Sequence, residues 1–170
     1  FLHALRHMGA NIELQNEINS FEPTADILVK TSDLKGISLN TALVANMIDE
    51  MPAFFIAAAL AEGITKVKDA KELRAKESDR LQAMSEVLQA FGVKSHLNGD
   101  GIVINGLGKD GLFKSSEINS YGDHRIAMAS SIASLRAEGE TTIIDCHNVN
   151  TSFPNFIDVS REVGINIVEI

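Results

Sequence analysis

The chain has one cysteine, Cys146, in 170 residues. An internal disulfide is therefore excluded, and the surrounding sequence offers no metal partner. Cys146 reads as a small buried apolar residue in a reducing compartment. No apolar run is long enough to cross a bilayer, and no basic start with an apolar stretch and small-residue cleavage site marks a signal peptide. Positive charge is also scarce. Fifteen Lys and Arg stand against 23 Asp and Glu, a net charge of −8. A nucleic-acid binder requires a basic stripe, and none is visible; the acidity mainly favours solubility. These deficits predict a cytoplasmic protein without nucleic-acid or membrane partners. Any anion site must be a local gathering of cations against the overall sign. The chain also lacks a starting Met. It opens at Phe1, and Leu2, Leu5 and Met8 before Gly9 read as the last turns of a helix. A fragment of a longer protein is the expectation.

What is present is a chain that folds. Hydrophobic residues make up 45%, which argues against disorder, and the length suffices for one or two domains with a core. Two segments echo one another: Ala61-Glu62-Gly63-Ile64-Thr65 and Ala137-Glu138-Gly139-Glu140-Thr141. Each follows a helix of Ala and small apolar residues and leads into a short β-branched run. Helical periodicity also ends at Gly9, Gly92 and Gly164, each followed by a strand pattern: Ile12–Leu14, Val93–Leu97 and Ile165–Val168. Glycine suits the left-handed position after a helix. One unit reads as a helix over 50–62, a strand over 64–69, a helix over 79–91, and strands over 93–97 and 101–105 joined by Asn98-Gly99-Asp100-Gly101, a hairpin signal. A further helix is predicted over 123–138. This alternation gives an α/β arrangement with mixed sheets. The helix over 50–62 is apolar nearly all round, so it belongs inside, with sheets outside.

The polar residues that suggest chemistry fall at three helix starts. Asp49 precedes Met51 and Pro52 and is placed to cap. Lys76-Glu77-Ser78-Asp79-Arg80 opens the second helix, with Ser78 as a plausible cap. Gly122-Asp123-His124-Arg125 opens the third, where Asp123 can cap. Lys76 and Arg80 repel at a four-residue spacing, and cations in a first turn oppose the helix dipole. A sequence that tolerates both costs is using them, and the natural use is an anion. Each cluster alone reads more simply as a cap, a solvated charged turn or a structural histidine. Together they define one pocket, with Lys76, Arg80 and Arg125 for an anion and Asp49 and Glu77 for proton transfer.

Leu73-Arg74-Ala75-Lys76-Glu77-Ser78-Asp79-Arg80-Leu81 and Gly122-Asp123-His124-Arg125-Ile126-Ala127-Met128 resemble the two signature motifs in the C-terminal half of the 5-enolpyruvylshikimate-3-phosphate synthase family. Ile48-Asp49-Glu50-Met51-Pro52 resembles its catalytic-aspartate segment, and Thr151-Ser152-Phe153-Pro154 its C-terminal motif. The resemblance runs from Phe1 to Ile170. It implies an inside-out α/β barrel of repeated βαβαββ units with buried helices and outer mixed sheets. Residues 1–170 would be most of the C-terminal domain of a two-domain enolpyruvyl transferase, without its N-terminal domain. The implied reaction moves the enolpyruvyl group of phosphoenolpyruvate to the 5-hydroxyl of shikimate 3-phosphate and releases phosphate, without metal or organic cofactor. By the same resemblance, Asp49 holds the shikimate hydroxyls and accepts a proton. Lys76 meets the shikimate phosphate substrate near the reacting oxygen and serves in proton transfer. Glu77 handles the methylene proton, Arg80 and Arg125 clamp the phosphoenolpyruvate carboxylate, and His124 lines the pocket.

One position departs from the pattern. Thr151 stands where many members have a lysine that helps bind phosphoenolpyruvate, so that role is not carried over. Glu72 falls where some members place an asparagine and is also left out. The phosphate-holding residues of the family's N-terminal half lie outside these residues, so the chain alone is expected to be inactive. Two rivals stand beside this reading. UDP-N-acetylglucosamine enolpyruvyl transferase shares the fold but lacks the Lys-Glu-Ser-Asp-Arg pattern and the Asp-His-Arg triplet. A non-catalytic ligand-binding domain of the same fold would have no need of Asp49, Glu77 and both arginines.

Overall fold

A computed structural model describes residues 1–170. In chain order it contains α1 (Leu2–His7), β1 (Asn11–Ile18), β2 (Thr24–Lys30), α2 (Thr41–Asn46), α3 (Met51–Ala59), β3 (Ile64–Val67), α4 (Arg80–Ala90), β4 (Lys94–Asn98), β5 (Gly101–Asn105), β6 (Glu117–Asn119), α5 (His124–Ala133), β7 (Thr142–Ile144), α6 (Val149–Ser152) and α7 (Phe156–Glu162). Single 3-10 turns occupy Ile48–Glu50, Lys71–Ala75 and Ser134–Arg136.

The most apolar helix is the centre. Met51, Pro52, Phe54, Phe55, Ile56, Ala58 and Ala59 of α3 are all buried, which no one-faced surface helix achieves. Helices α4 and α5 pack against α3 and against each other. The sheet β3-β5-β4 is antiparallel throughout. Val67 pairs with Ile102, and Thr65 with Ile104; these four side chains are buried, while Lys66 and Lys94 face outward. The sheet thus covers the helices on one face and meets solvent on the other, as the expected inside-out α/β arrangement requires. No helix is long and apolar enough to cross a membrane.

The sequence repeat has a hydrogen-bonded counterpart. Glu62 N donates to Leu34 O at 2.8 Å, and Glu138 N to Phe113 O at 2.8 Å. Lys35 N donates to Met8 O and Lys114 N to Phe91 O. Lys66 N donates to Ile37 O and Thr142 N to Ser116 O. The same stitch therefore occurs twice, and β6 with β7 repeats the parallel bridges of Lys35 with Glu62 and Ser38 with Lys66. Gly9, Gly92 and Gly164 all have positive φ, at 96°, 81° and 89°, as expected of residues that follow helices.

Several predicted elements change. The helix over 50–62 splits into the turn at Ile48–Glu50 and α3, and the helix over 123–138 ends at Ala133 before its own 3-10 turn. The strand predicted over 64–69 stops at Val67, and Asp69 turns away with φ 54°. Residues 165–168 form no strand, because no neighbouring chain segment pairs with them; the one local backbone bond is Ile167 N to Ile165 O. Cys146 is only half-buried. Its thiol donates to Ile143 O at 3.3 Å, and burial raises its pKa.

Gly106 fixes how β5 leaves the sheet beside α3. A Cβ there would lie 1.9 Å from Ala61 O, and backbone cannot swing aside. Gly106→Ala is expected to destabilise the full-length protein by about 1–3 kcal/mol through overpacking, read by urea denaturation. An unchanged midpoint would show that this approach carries no constraint.

Candidate active site

Three separated segments meet at one guanidinium. Arg80 opens α4 and is fully buried, at 0% exposure. Its Nε donates to Asp123 Oδ2 at 2.8 Å, one terminal nitrogen to Asp49 Oδ1 at 2.8 Å, and the other to Glu77 Oε2 at 2.6 Å. Asp123 is equally buried. Its other oxygen caps α5 by accepting from Arg125 N at 3.0 Å, and Ser78 Oγ donates to its Oδ2 at 3.0 Å. Burial would pull the Arg80 pKa down, but the hydrogen bonds to Asp123 and Asp49 outweigh it and leave the pKa above its ordinary value. A buried charge without such partners would be strongly destabilising.

Asp49 is the second node. The turn Ile48–Glu50 projects it from just before α3. Besides Arg80, it faces an Arg125 terminal nitrogen at 3.4 Å and Lys76 Nζ at 3.9 Å. Arg125 also donates to the Asp49 backbone O at 3.0 Å. The hydrogen bond from Arg80 holds the Asp49 carboxyl below its ordinary 3.8, against an opposing push from burial and with help from the Arg125 and Lys76 charges. Asp49 therefore does not cap α3; its carboxylate is spent on cations instead, and no side chain caps that helix. Ser78 does not cap α4 either. Asp79 does, accepting from Gln82 N at 3.0 Å, which frees Ser78 for Asp123. The expected Asp123 cap is present, and Glu77 of the charged turn pairs with Arg80.

The structure thus gathers Asp49, Lys76, Glu77, Arg80 and Arg125. His124 sits half-buried at the first position of α5 and makes no side-chain hydrogen bond to this group. Asp49 and Arg125 also stand at the mouth of an open groove of about 230 Å³ between α3 and α5, lined further by Pro52, Ala53, Ile56 and Met128. Sequence reasoning missed Asp123 as the buried anchor of Arg80, because its capping role already accounted for it. No three His, Cys, Asp or Glu side chains are grouped to hold a metal.

A family model described as EPSP synthase (3-phosphoshikimate 1-carboxyvinyltransferase) matches residues 1–159. The chain belongs to the EPSP synthase family. It is 50% identical over 169 residues to the 3-phosphoshikimate 1-carboxyvinyltransferase of Hydrogenovibrio crunogenus, covering 98% of this chain and 37% of that protein. A solved EPSP synthase from Acinetobacter baumannii superimposes with a TM-score of 0.92 at 44% identity, covering 96% of this chain and 38% of that one. The enolpyruvyl transferase NikO from Streptomyces tendae, at 17% identity and a TM-score of 0.71, shares the fold. The chain spans little more than a third of the length of these family relatives.

Because the folded pKa of Asp49 is depressed, its ion pairs stabilise the fold above the ordinary carboxylate range, and that contribution is lost as pH falls through the folded value. The stability difference between the wild-type protein and Asp49→Asn should be constant from about pH 7 to pH 5 and shrink below about pH 4. Urea denaturation across that range measures it. A gap independent of pH would mean that Asp49 carries no stabilising charge.

Proposed function

We propose that the full-length protein transfers the enolpyruvyl group of phosphoenolpyruvate to the 5-hydroxyl of shikimate 3-phosphate, releasing phosphate, and does so in the cytoplasm. The observation that carries this reading is the pairing of Asp49 and Glu77 on one buried guanidinium, with Lys76 and Arg125 beside them. The reaction forms a bond from the hydroxyl oxygen to C2 of phosphoenolpyruvate while C3 gains a proton. It then expels phosphate from C2 as C3 gives a proton back. One carboxylate must take the hydroxyl proton and a second acid must serve the methylene carbon. Asp49 fits the first role and Glu77 the second, with Lys76 near the reacting oxygen assisting proton transfer. Asp49 also holds the shikimate hydroxyls.

Lys76 and Arg125 are about one-third exposed, so they meet anionic substrates first. Arg80 is already engaged by its own chain. It reaches the phosphoenolpyruvate carboxylate by exchanging Glu77, whose side chain is 46% exposed. That exchange would free the Glu77 carboxyl next to the reacting carbon. His124 lines the same pocket. The presence of the Lys-Glu-Ser-Asp-Arg and Asp-His-Arg segments favours this acceptor over a UDP-amino sugar, and the intact carboxylates favour catalysis over mere binding. In the full-length protein, Asp49→Asn and Glu77→Gln should each lower kcat at least about 100-fold with the fold unchanged by circular dichroism. The 170-residue chain alone should show negligible turnover. Full activity in either variant would remove the assigned acid–base pair.

Residues 1–170 would form most of the C-terminal domain, completed by sequence elsewhere in the protein and facing an N-terminal domain. The repeat supports this. In the middle unit, β5 lies between β3 and β4. β7 pairs with β6 and β2 with β1, so each leaves an edge that a further strand would extend. Helices α3 and α5 leave the apolar groove between them uncovered, with Ile132 at 47% exposure. A third central helix of the same protein fits there. Ile132→Glu should then destabilise the full-length protein by about 2–4 kcal/mol, as burying an unpaired charge does. A neutral effect on its denaturation midpoint would leave that face solvent-exposed and the completion unsupported.

A further inference from the structure

The turn that delivers Asp123 to Arg80 is built against local preference. Tyr121 and Gly122 have φ of 56° and 66°, and Asp123 N donates to Ser120 O at 3.0 Å. Two successive left-handed residues make a type I′ turn, in which the first position favours Gly, Asn or Asp. Here that position holds the chain's one tyrosine. A bulky residue at positive φ is an outlier that its surroundings must hold in place. Burial does not do so, because Tyr121 is 44% exposed. Polar contacts do: its hydroxyl donates to Glu86 Oε2, and Gly122 O accepts from Asn148 Nδ2. Glu86 lies on α4, the helix that Arg80 opens, and its other oxygen accepts from Gln82 Nε2 at 2.7 Å. On the turn itself, Tyr121 N donates to Asn119 Oδ1 at 2.8 Å.

Two ties therefore join α4 to the turn before α5. One is Arg80 to Asp123 and is buried. The other is Glu86 to Tyr121 and lies outside the site. We infer that Tyr121 and Glu86 are a positioning pair: they hold the strained turn against α4 so that Asp123 orients the Arg80 guanidinium for an anionic substrate. Neither touches the reacting groups. The link to substrate rests on the function proposed above; the link to Arg80 does not.

The test uses the full-length protein with ¹⁵N-labelled arginine, and compares Tyr121→Phe, Glu86→Ala and Glu86→Gln. The Arg80 Nε–H resonance, assigned by its loss in Arg80→Lys, reports the Asp123 hydrogen bond without any turnover. Tyr121→Phe removes one oxygen and keeps the ring, so it should fold. It and Glu86→Ala should both shift that resonance, whereas Glu86→Gln, which keeps a carbonyl acceptor, should stay near the wild-type position. The same two disruptive variants should raise KM for phosphoenolpyruvate about 3- to 10-fold, the size of one lost hydrogen bond, with kcat changed less than about twofold. An unmoved Arg80 resonance in Tyr121→Phe overturns the pairing. A shifted resonance in a protein with no enolpyruvyl transfer keeps the positioning pair and overturns the proposed function instead.

Discussion

A guanidinium removed entirely from water is costly, and the rest of this structure is arranged around meeting that cost. Arg80 does not sit in an apolar core by accident of packing. Each of its three nitrogens is matched to a carboxylate from a different place in the chain. Asp123 locks the start of α5, Asp49 the turn before α3, and Glu77 the loop before α4. A planar fork with fixed donor directions can align three segments in this way, whereas a lysine, being a point charge, cannot. The exposed faces of Asp49 and Glu77 are therefore placed by a guanidinium held within the fold.

The internal repeat explains why the segments are close enough to be joined. Helices α3 and α5 are equivalent members of two units, and they pack side by side at the centre. Asp49 and Arg125 are 76 residues apart, the same offset that relates the two Ala-Glu-Gly segments. They occupy matching places at the starts of matching helices, and one carries an acid where the other carries a cation. A duplicated unit thus supplies a pair of complementary charges across its own pseudo-symmetry axis, and the groove between the helices begins at that pair.

Sequence patterns revealed elements whose cause is local. The apolar circumference of α3, the Asn98–Gly101 hairpin and the three helix-ending glycines all follow from neighbouring residues, and all are present. Residues 165–168 have a strand composition, but a strand needs a partner, and composition does not provide one. The caps were misassigned for a related reason. Asp49 and Ser78 have good capping chemistry, yet each has a more demanding partner brought from far along the chain, Arg80 in one case and Asp123 in the other. Asp123 shows the limit most clearly. One of its oxygens does the local work that the sequence announces, and the other binds a side chain 43 positions away for which no local signal exists. Tyr121 is similar: its conformation is costly by itself, and the compensation lies on another helix.

Charge balance ties this architecture to the proposed chemistry. Three cations, Lys76, Arg80 and Arg125, face three carboxylates, Asp49, Glu77 and Asp123. The cluster is neutral as it stands, inside a protein of net charge −8. Two anionic substrates entering such a place would leave it strongly negative, and in a confined site of low dielectric that excess is expensive. Exchange of the Glu77 carboxylate for a substrate carboxylate on Arg80 limits it. Asp123 is enclosed between Ser78, Arg80 and the α5 backbone and holds its place, whereas Glu77 is exposed and held by one hydrogen bond from Arg80. On the proposed function, the carboxylate held least firmly is the one that gives way to substrate and is left beside the reacting carbon.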